Sequence, residues 1–281
     1  MTVLYGDIAV VNGEEAVSNW GITTKAEAKD YVASNTGKGT GRLSGVKDWS
    51  GDFECCKASP TAMPGAAITL SASIDGVKGV TGSAVAESLD VTCDIEGGGP
   101  VTCKVGFGGN GALTKGASAV TDSSLPNPPN AADGKAALGT VVASPVYTDL
   151  PEVTKWNLKI SAKVAKHNSS STSKNTVRSA VAKIIDCSAS ISYYFADPAA
   201  MPCEGDVVAV KLYVDASLFY EIRWMIIDSI TDIKVDLKSQ KPVGCTLNLS
   251  WSAYTDIAGT PTIGCIHTPA ATPVVYWPFS A

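Results

Sequence analysis

Hydrophobic and polar residues alternate along several short segments of the chain. Residues 68–74 read I-T-L-S-A-S-I and residues 208–214 read V-A-V-K-L-Y-V, so apolar side chains occupy every second position. Residues 90–95 (D-V-T-C-D-I) and 232–237 (D-I-K-V-D-L) show the same period. A period of two is typical of half-buried β-strands, and valine and isoleucine, which strands favour, supply most of the apolar positions. The pattern therefore predicts an all-β chain.

The chain also repeats itself. Residues 58–64 read A-S-P-T-A-M-P, and residues 196–202, which lie 138 positions later, read A-D-P-A-A-M-P. The two segments D-V-T-C-D-I and D-I-K-V-D-L are 142 positions apart, and Trp20 precedes Trp156 by 136. Chance similarity between two strand-rich stretches is the alternative, but the order, the spacing and the A-M-P triplet agree with one another.

A repeat of this length indicates two folded domains. Solenoid repeats span ~20–50 residues, so a copy this long needs a hydrophobic core of its own. We predict two tandem homologous domains at residues 1–122 and 138–281. Residues 123–137 (S-S-L-P-N-P-P-N-A-A-D-G-K-A-A) are rich in proline and polar side chains, which predicts a linker.

Turn residues separate the alternating segments and predict antiparallel hairpins. The G-G-G-P sequence at 97–100 and the S-Q-K-P sequence at 239–242 each lie between two such segments. Residues 24–32 contain good helix formers, but their counterpart at 160–167 (I-S-A-K-V-A-K-H) alternates, so we predict strands at both places. We expect each copy to close as an antiparallel β-sandwich or small barrel.

Charge excludes some classes of partner. The 281 residues carry a formal net charge of −5, and lysine and arginine do not cluster. An acidic surface repels phosphate, so we expect neither tight nucleic-acid binding nor attraction to an anionic membrane. No apolar run approaches the length that crosses a bilayer, and the first residues lack a basic secretory n-region. We expect a chain that is synthesised in the cytoplasm and does not associate with membranes.

The eight cysteines do not form a repeated framework. Cys93 in the first copy corresponds to Val235 in the second, which favours buried thiols that serve packing. Cys93 and Cys103 flank the glycine-rich connection at 96–100 and are the candidate disulfide pair. The chain has no C-x-x-C motif and only two histidines. We therefore expect no metal site and no cofactor.

The search for catalytic motifs gives no candidate. The sequence contains no G-x-S-x-G, Walker or H-E-x-x-H motif. The G-F-G-G-N-G run at 106–111 lacks the following helix that a dinucleotide-binding loop needs, and we interpret it as a strand edge or bulge. Acids repeated at Asp90 and Asp94 fit a solvated strand face better than a catalytic pair. We expect no catalytic residue and no enzymatic activity.

Four segments of the first copy resemble one known family. They are W-G-I-T-T-K at 20–25, G-V-K-D-W-S-G at 45–51, D-V-T-C-D-I at 90–95 and G-F-G-G-N-G at 106–111. In this order they resemble the tail tube (major tail) proteins of long-tailed bacteriophages. The resemblance covers nearly all of the first copy and extends more faintly to the second, where Cys187 replaces the tryptophan and Trp251 and Tyr254 replace the last glycines.

The resemblance implies a structural virion protein of the viral tail. Its family forms stacked rings in which each subunit lends strands to an inner β-barrel around a DNA-wide channel. Single-domain members form hexameric rings, so a duplicated chain would close the same ring as a homotrimer. The implied partners are other copies of the chain, other tail proteins and double-stranded DNA that passes through during ejection without specific binding.

Two sets of residues follow as candidates. Acids at equal spacing in both copies suggest a channel lining that repels the DNA backbone; the lining residues would be Asp90, Thr92, Asp94, Asp232, Lys234 and Asp236. Polar loops at 34–41 and 168–176 suggest contacts between rings or subunits. Their candidate residues are Asn35, Lys38, Arg42, Asn168, Lys174 and Arg178.

Two other functions fit a tandem β-protein. A capsid decoration or adhesin-like virion protein would bind a lattice or receptor without forming a channel, because fold alone does not fix function. A carbohydrate-acting enzyme would need an aromatic cleft with carboxylates, for which Trp224, Trp251 and Trp277 are the candidates.

Overall fold

The computed structural model describes most of the chain. The described residues are 9–11, 17–32, 39–57, 60, 62–73, 77–118, 128–141, 145–167, 179–195, 201–234, 242–252, 254–257, 260–263, 266–268 and 274–277. The strands are β1 Ala9–Val11, β2 Val17–Tyr31, β3 Gly41–Cys55, β4 Ala67–Ser73, β5 Lys78–Asp94, β6 Thr102–Ser118, β7 Lys135–Gly139, β8 Tyr147–Asp149, β9 Val153–His167, β10 Ser179–Tyr194, β11 Val207–Tyr213, β12 Phe219–Lys234, β13 Gly244–Trp251, β14 Tyr254–Ile257, β15 Thr260–Ile263, β16 Ile266–Thr268 and β17 Val274–Trp277.

Within the described residues, fifteen strands form one antiparallel sheet, and its main path has the order β2-β3-β6-β5-β9-β10-β13-β12-β11-β7-β8. Strand β4 pairs with β5 and β1 pairs with β4, while β16 pairs with β12 and β17 pairs with β16. No α-helix occurs among the described residues, so the all-β antiparallel prediction is confirmed. The sheet is open and runs from one half of the chain into the other, in place of the separate sandwich or barrel predicted for each half. The reason is that β9 pairs with β5.

The order of the strands recurs along the sheet. The series β2-β3-β6-β5 is followed by β9-β10-β13-β12, with β4 beside β5 and β11 beside β12. Register recurs as well: Trp20 on β2 lies opposite Phe53 on β3, and Trp156 on β9 lies opposite Ile191 on β10. Strand β1 lies beside β4 as β7 lies beside β11.

The alternation of the sequence sets which face of each strand is buried. On β5, Val91 and Cys93 are fully buried, whereas Asp90, Thr92 and Asp94 are half-buried on the opposite face. Residues 24–31 belong to β2, which confirms the strand predicted there over the helix. The turn between β5 and β6 follows Asp94, as the glycines at 97–99 predict.

A glycine turn before β4 recurs before β11. Gly65 and Gly205 have φ values of 92° and 88°, a left-handed conformation that side chains rarely adopt. The Gly65 N–H donates to Ala86 O at 2.8 Å, and the Gly205 N–H donates to Ile227 O at 2.8 Å. Each turn therefore attaches its short strand to the long strand that follows.

Part of the predicted linker is packed. Ala131 lies in a single 3-10 turn, Ala131–Asp133, and Ala136 and Ala137 lie on β7; all three side chains are fully buried. The Asn130 side chain accepts a hydrogen bond from the Ala132 N–H at 3.1 Å and begins that turn. Proline and polar residues dominate the composition of this stretch, but Ala136 and Ala137 lie on a strand that pairs with β11, and Ala131 lies against β5.

One cluster of buried residues spans both halves of the sheet. Trp156 is the largest side chain that is fully buried, and its Nε1–H donates to Tyr213 O at 3.2 Å. Phe53 and Phe107 pack in the first half, with ring centroids 6.3 Å apart. The core therefore lies on one face of the long strands and leaves the other face polar.

Candidate functional surface

The face of the long strands opposite the core is polar across seven neighbouring strands. Register places its side chains in rows from β3 to β12. We call this surface the polar face and define it by Asp52, Glu54, Thr102, Lys104, Asp90, Thr92, Asp94, Lys155, Asn157, Lys159, Ser188, Ser190, Ser192, Thr246, Asn248, Ser250, Ser229 and Thr231.

Charges on the polar face are balanced locally. Asp90 lies opposite Lys104 on β6 and Lys159 on β9, and Asp94 lies opposite Lys155. The Lys104 Nζ is 3.2 Å from the Asp52 Oδ2, and both side chains are about half exposed. Each lysine thus has a carboxylate beside it, so the face offers phosphate no net positive site.

Hydrogen bonds between strands fix the uncharged side chains of this face. The Asn157 amide donates to Thr92 Oγ1 at 2.9 Å across the β5–β9 pair. The Ser192 and Thr246 hydroxyls are 2.9 Å apart across the β10–β13 pair. Groups satisfied in this way are poor partners for a specific ligand.

The structure places the predicted lining residues differently in the two halves. Asp90, Thr92 and Asp94 lie side by side on the polar face. Asp232 lies in a bulge of β12, where the register with β13 shifts between Thr231 and Lys234 and Asp232 has a φ of 58°.

The bulge changes the match between the halves. The bulge adds one residue to β12. In the sheet Thr231 therefore occupies the position that matches Asp90, whereas sequence alone aligns Asp232 with Asp90. Lys234 is the last residue of β12, and Asp236 lies outside the described residues.

Among the predicted loop residues, Arg42 is the one that the structure describes. It lies at the start of β3, and its Nε is 3.1 Å from Asp30 Oδ1 in an exposed pair with β2. Its partner is therefore within the same chain. The other five, Asn35, Lys38, Asn168, Lys174 and Arg178, lie outside the described side chains.

The candidate disulfide is absent from the structure. Cys93 and Cys103 are free thiols, because register places Val91 and Cys55, not Cys93, opposite Cys103. The Cys93 thiol points to Ala131 O at 3.6 Å, and the Cys103 thiol points to Lys57 O at 3.0 Å. Burial, with a smaller effect of Asp94, raises the pKa of Cys93 to about 12, which keeps it a packing thiol.

Sequence reasoning missed a buried ionic cluster around Glu221 on β12. Its Oε1 accepts hydrogen bonds from Tyr147 Oη at 2.7 Å and Arg223 Nε at 2.9 Å, and its Oε2 is 3.7 Å from His267 Nδ1. Burial would raise the pKa of Glu221, but these partners hold it below its usual value. Burial lowers the pKa of His267. In F-Y-E-I-R-W at 219–224, Glu221 and Arg223 occupy the polar positions of the alternation, which predicts exposed charges, so the pattern carries no signal of the cluster.

The tryptophans proposed for an aromatic cleft pack inward. Trp224 and Trp251 are 3% and 8% exposed, and the Trp251 Nε1–H donates to Arg223 O at 3.1 Å. The Trp277 side chain is outside the described set.

This sequence matches no model of a known protein family and no curated protein. Within the part of the chain that the structure describes, no helix is long and apolar enough to cross a membrane.

Proposed function

We propose that this chain is a structural subunit that forms rings and, by stacking, a hollow tube for DNA passage, as in a bacteriophage tail. The observation that carries the proposal is the recurring strand order, β2-β3-β6-β5 and then β9-β10-β13-β12, within one continuous sheet. Because the two halves of the chain already join edge to edge in one sheet, further copies of the chain could join the sheet in the same way. Other tail proteins and the virion tail as its location follow from the family resemblance.

The two halves are, in this proposal, duplicated tandem domains of the tail-tube type. Supporting this are the equal registers of β2 with β3 and β9 with β10, and the matched glycine turns at Gly65 and Gly205. The pairing of β1 with β4 and of β7 with β11 extends the repeat upstream of residue 138. Three chains would then supply the six units of a ring.

The polar face is the proposed wall of the channel. It is broad, continuous over seven strands and locally neutral, since Lys104, Lys155 and Lys159 each have an acid opposite. DNA that must move through a tube requires a wall that does not hold phosphate, because each lysine–phosphate contact adds affinity. Asp90 and Asp94 lie opposite Lys159 and Lys155, and Lys104 lies 3.2 Å from Asp52.

Negative-stain electron microscopy across a concentration series tests the proposal. We expect rings or hollow tubes with threefold or pseudo-sixfold end views. Dispersed particles at every concentration, with attachment only to a preformed shell, would overturn it in favour of a capsid decoration or adhesin-like role.

A further inference from the structure

The pairing of β5 with β9 is the contact that joins the two halves. It consists of seven pairs of opposed residues, from Ser88 with Ser161 to Asp94 with Lys155. Strand β4 pairs with the same edge of β5 from Gly79 to Val85, and β9 pairs with that edge from Ser88 to Asp94. Its apolar members, such as Val91 opposite Leu158, are fully buried.

Both strands of this contact have a counterpart elsewhere in the chain. Strand β12 lies between β13 and β11 as β5 lies between β6 and β4, and β2 pairs with β3 as β9 pairs with β10. The Ala86 N–H donates to Ala66 O and the Ile227 N–H donates to Asp206 O, both at 3.0 Å. These matched bonds fix the alignment of β12 with β5.

Strand β12 keeps an open edge where β5 receives β9. Strand β11 pairs with this edge of β12 as far as Ile226. Gly205 and Asp206 extend the backbone hydrogen bonding to Ile227. Among the strands that the structure describes, none pairs with that edge from Asp228 onward. Ile233, in the bulge that takes the place of Val91, is 56% exposed.

Strand β2 has the complementary open edge. In the described part of the chain it pairs with β3 alone. Trp20 and Ile22 are only partly buried, whereas Trp156 and Leu158 at the equivalent positions of β9 are fully buried. An edge of this kind is a template for pairing with another strand.

We propose that β2 of one copy of the chain pairs antiparallel with the open edge of β12 in a second copy, in the register of the β5–β9 contact. Thr23 then lies opposite Thr231, and Ile22 lies opposite the bulge and covers Ile233. The two edges differ, so the contact is heterologous and continues from copy to copy until the ring closes. This inference rests on the ring assembly proposed above and identifies the strands that make it.

A charged substitution at the exposed Ile233 tests whether β12 forms the proposed contact. Ile233→Lys places an ammonium group where the second copy would bury it, so assembly should require at least about tenfold more protein. Val146→Lys is the matched control, because Val146 is 72% exposed and lies on neither edge. Sedimentation velocity measures assembly, and circular dichroism confirms that both variants fold.

Crosslinking tests the register. Thr23→Cys combined with Thr231→Cys should give a ladder of covalent multimers on non-reducing gels, at exposed sites whose substitution leaves the core intact. Asn19→Cys combined with Thr231→Cys is the off-register control, and the unmodified chain gives the background from its own cysteines.

The outcomes separate this inference from the proposed function. A ladder for the first pair alone, together with loss of assembly in Ile233→Lys, supports the β2–β12 contact. Rings that form equally well with Ile233→Lys, or no specific ladder, would overturn the contact and leave the ring proposal standing. A folded chain that stays monomeric at every concentration would overturn both.

Discussion

At the scale of single residues, Glu221 is the side chain on which the most buried polar groups depend. Its carboxylate accepts from Tyr147 and Arg223 and lies near His267, and the side chain is 8% exposed. Glu221→Ala would leave the Arg223 guanidinium, whose side chain is 25% exposed, without that partner in a partly buried environment. We expect the free energy of unfolding to fall by about 3 kcal/mol in urea denaturation.

The exposed Lys135–Asp149 pair provides the control for Glu221. Its atoms are 2.8 Å apart, but its side chains are 42% and 56% exposed. Solvent screens such a pair, so Asp149→Ala should cost less than about 1 kcal/mol. Equal losses for the two variants would show that the cluster around Glu221 does not stabilise the fold.

At the scale of elements, the β5–β9 contact depends on Trp156. Trp156→Ala removes the largest fully buried side chain and should lower the free energy of unfolding by about 3–5 kcal/mol. Its counterpart Trp20 lies on the open edge of β2, so Trp20→Ala should cost roughly half as much in the monomeric chain. Urea denaturation below the assembly concentration measures both; a larger cost for Trp20→Ala would contradict the difference in burial.

Local elements were predictable because neighbours in sequence determine them. Period-two alternation identified β4, β5 and β11, and the glycines at 97–99 identified the turn that follows β5. The β5–β9 pairing was not predictable, because it joins strands that are distant in sequence. The bulge at Asp232 was also hidden, since D-I-K-V-D-L alternates regularly and only the backbone conformation shows the added residue.

The candidate surface was predictable in part for the same reason. Alternation alone places Asp90, Thr92 and Asp94 on one face of β5. It does not show that Lys155 and Lys159 lie across from the acids, because which strand lies beside β5 is a property of the folded sheet. The expected row of repelling carboxylates is therefore a row of acids that lie opposite lysines on the neighbouring strands.

At the scale of the whole molecule, the charge balance of the polar face predicts how DNA would behave inside the proposed tube. Asp90→Lys with Asp94→Lys removes the acids opposite Lys155 and Lys159 and adds two ammonium groups to the polar face. Tubes of this variant should retain short linear double-stranded DNA, with retention that falls steeply as salt rises. Tubes of the unmodified chain should release it, as an electrophoretic mobility assay would detect.

Closed circular DNA distinguishes the inside of the tube from the outside. A circle cannot thread a channel, so the variant tubes should retain linear fragments and not circles. Asp133→Lys with Glu152→Lys, at two exposed positions away from the polar face, is the control for added charge. Equal retention of circles and linear fragments would place the polar face on the exterior.

The β5–β9 contact has a kinetic consequence for assembly. Because β5 and β9 belong to one polypeptide, they meet at an effective concentration that the intervening chain sets, independent of how much protein the cell makes. In a ring built as proposed, every second junction therefore forms during folding, and only the alternate junctions wait for diffusional encounters. A duplicated chain would thus halve the number of junctions that must form between separate chains.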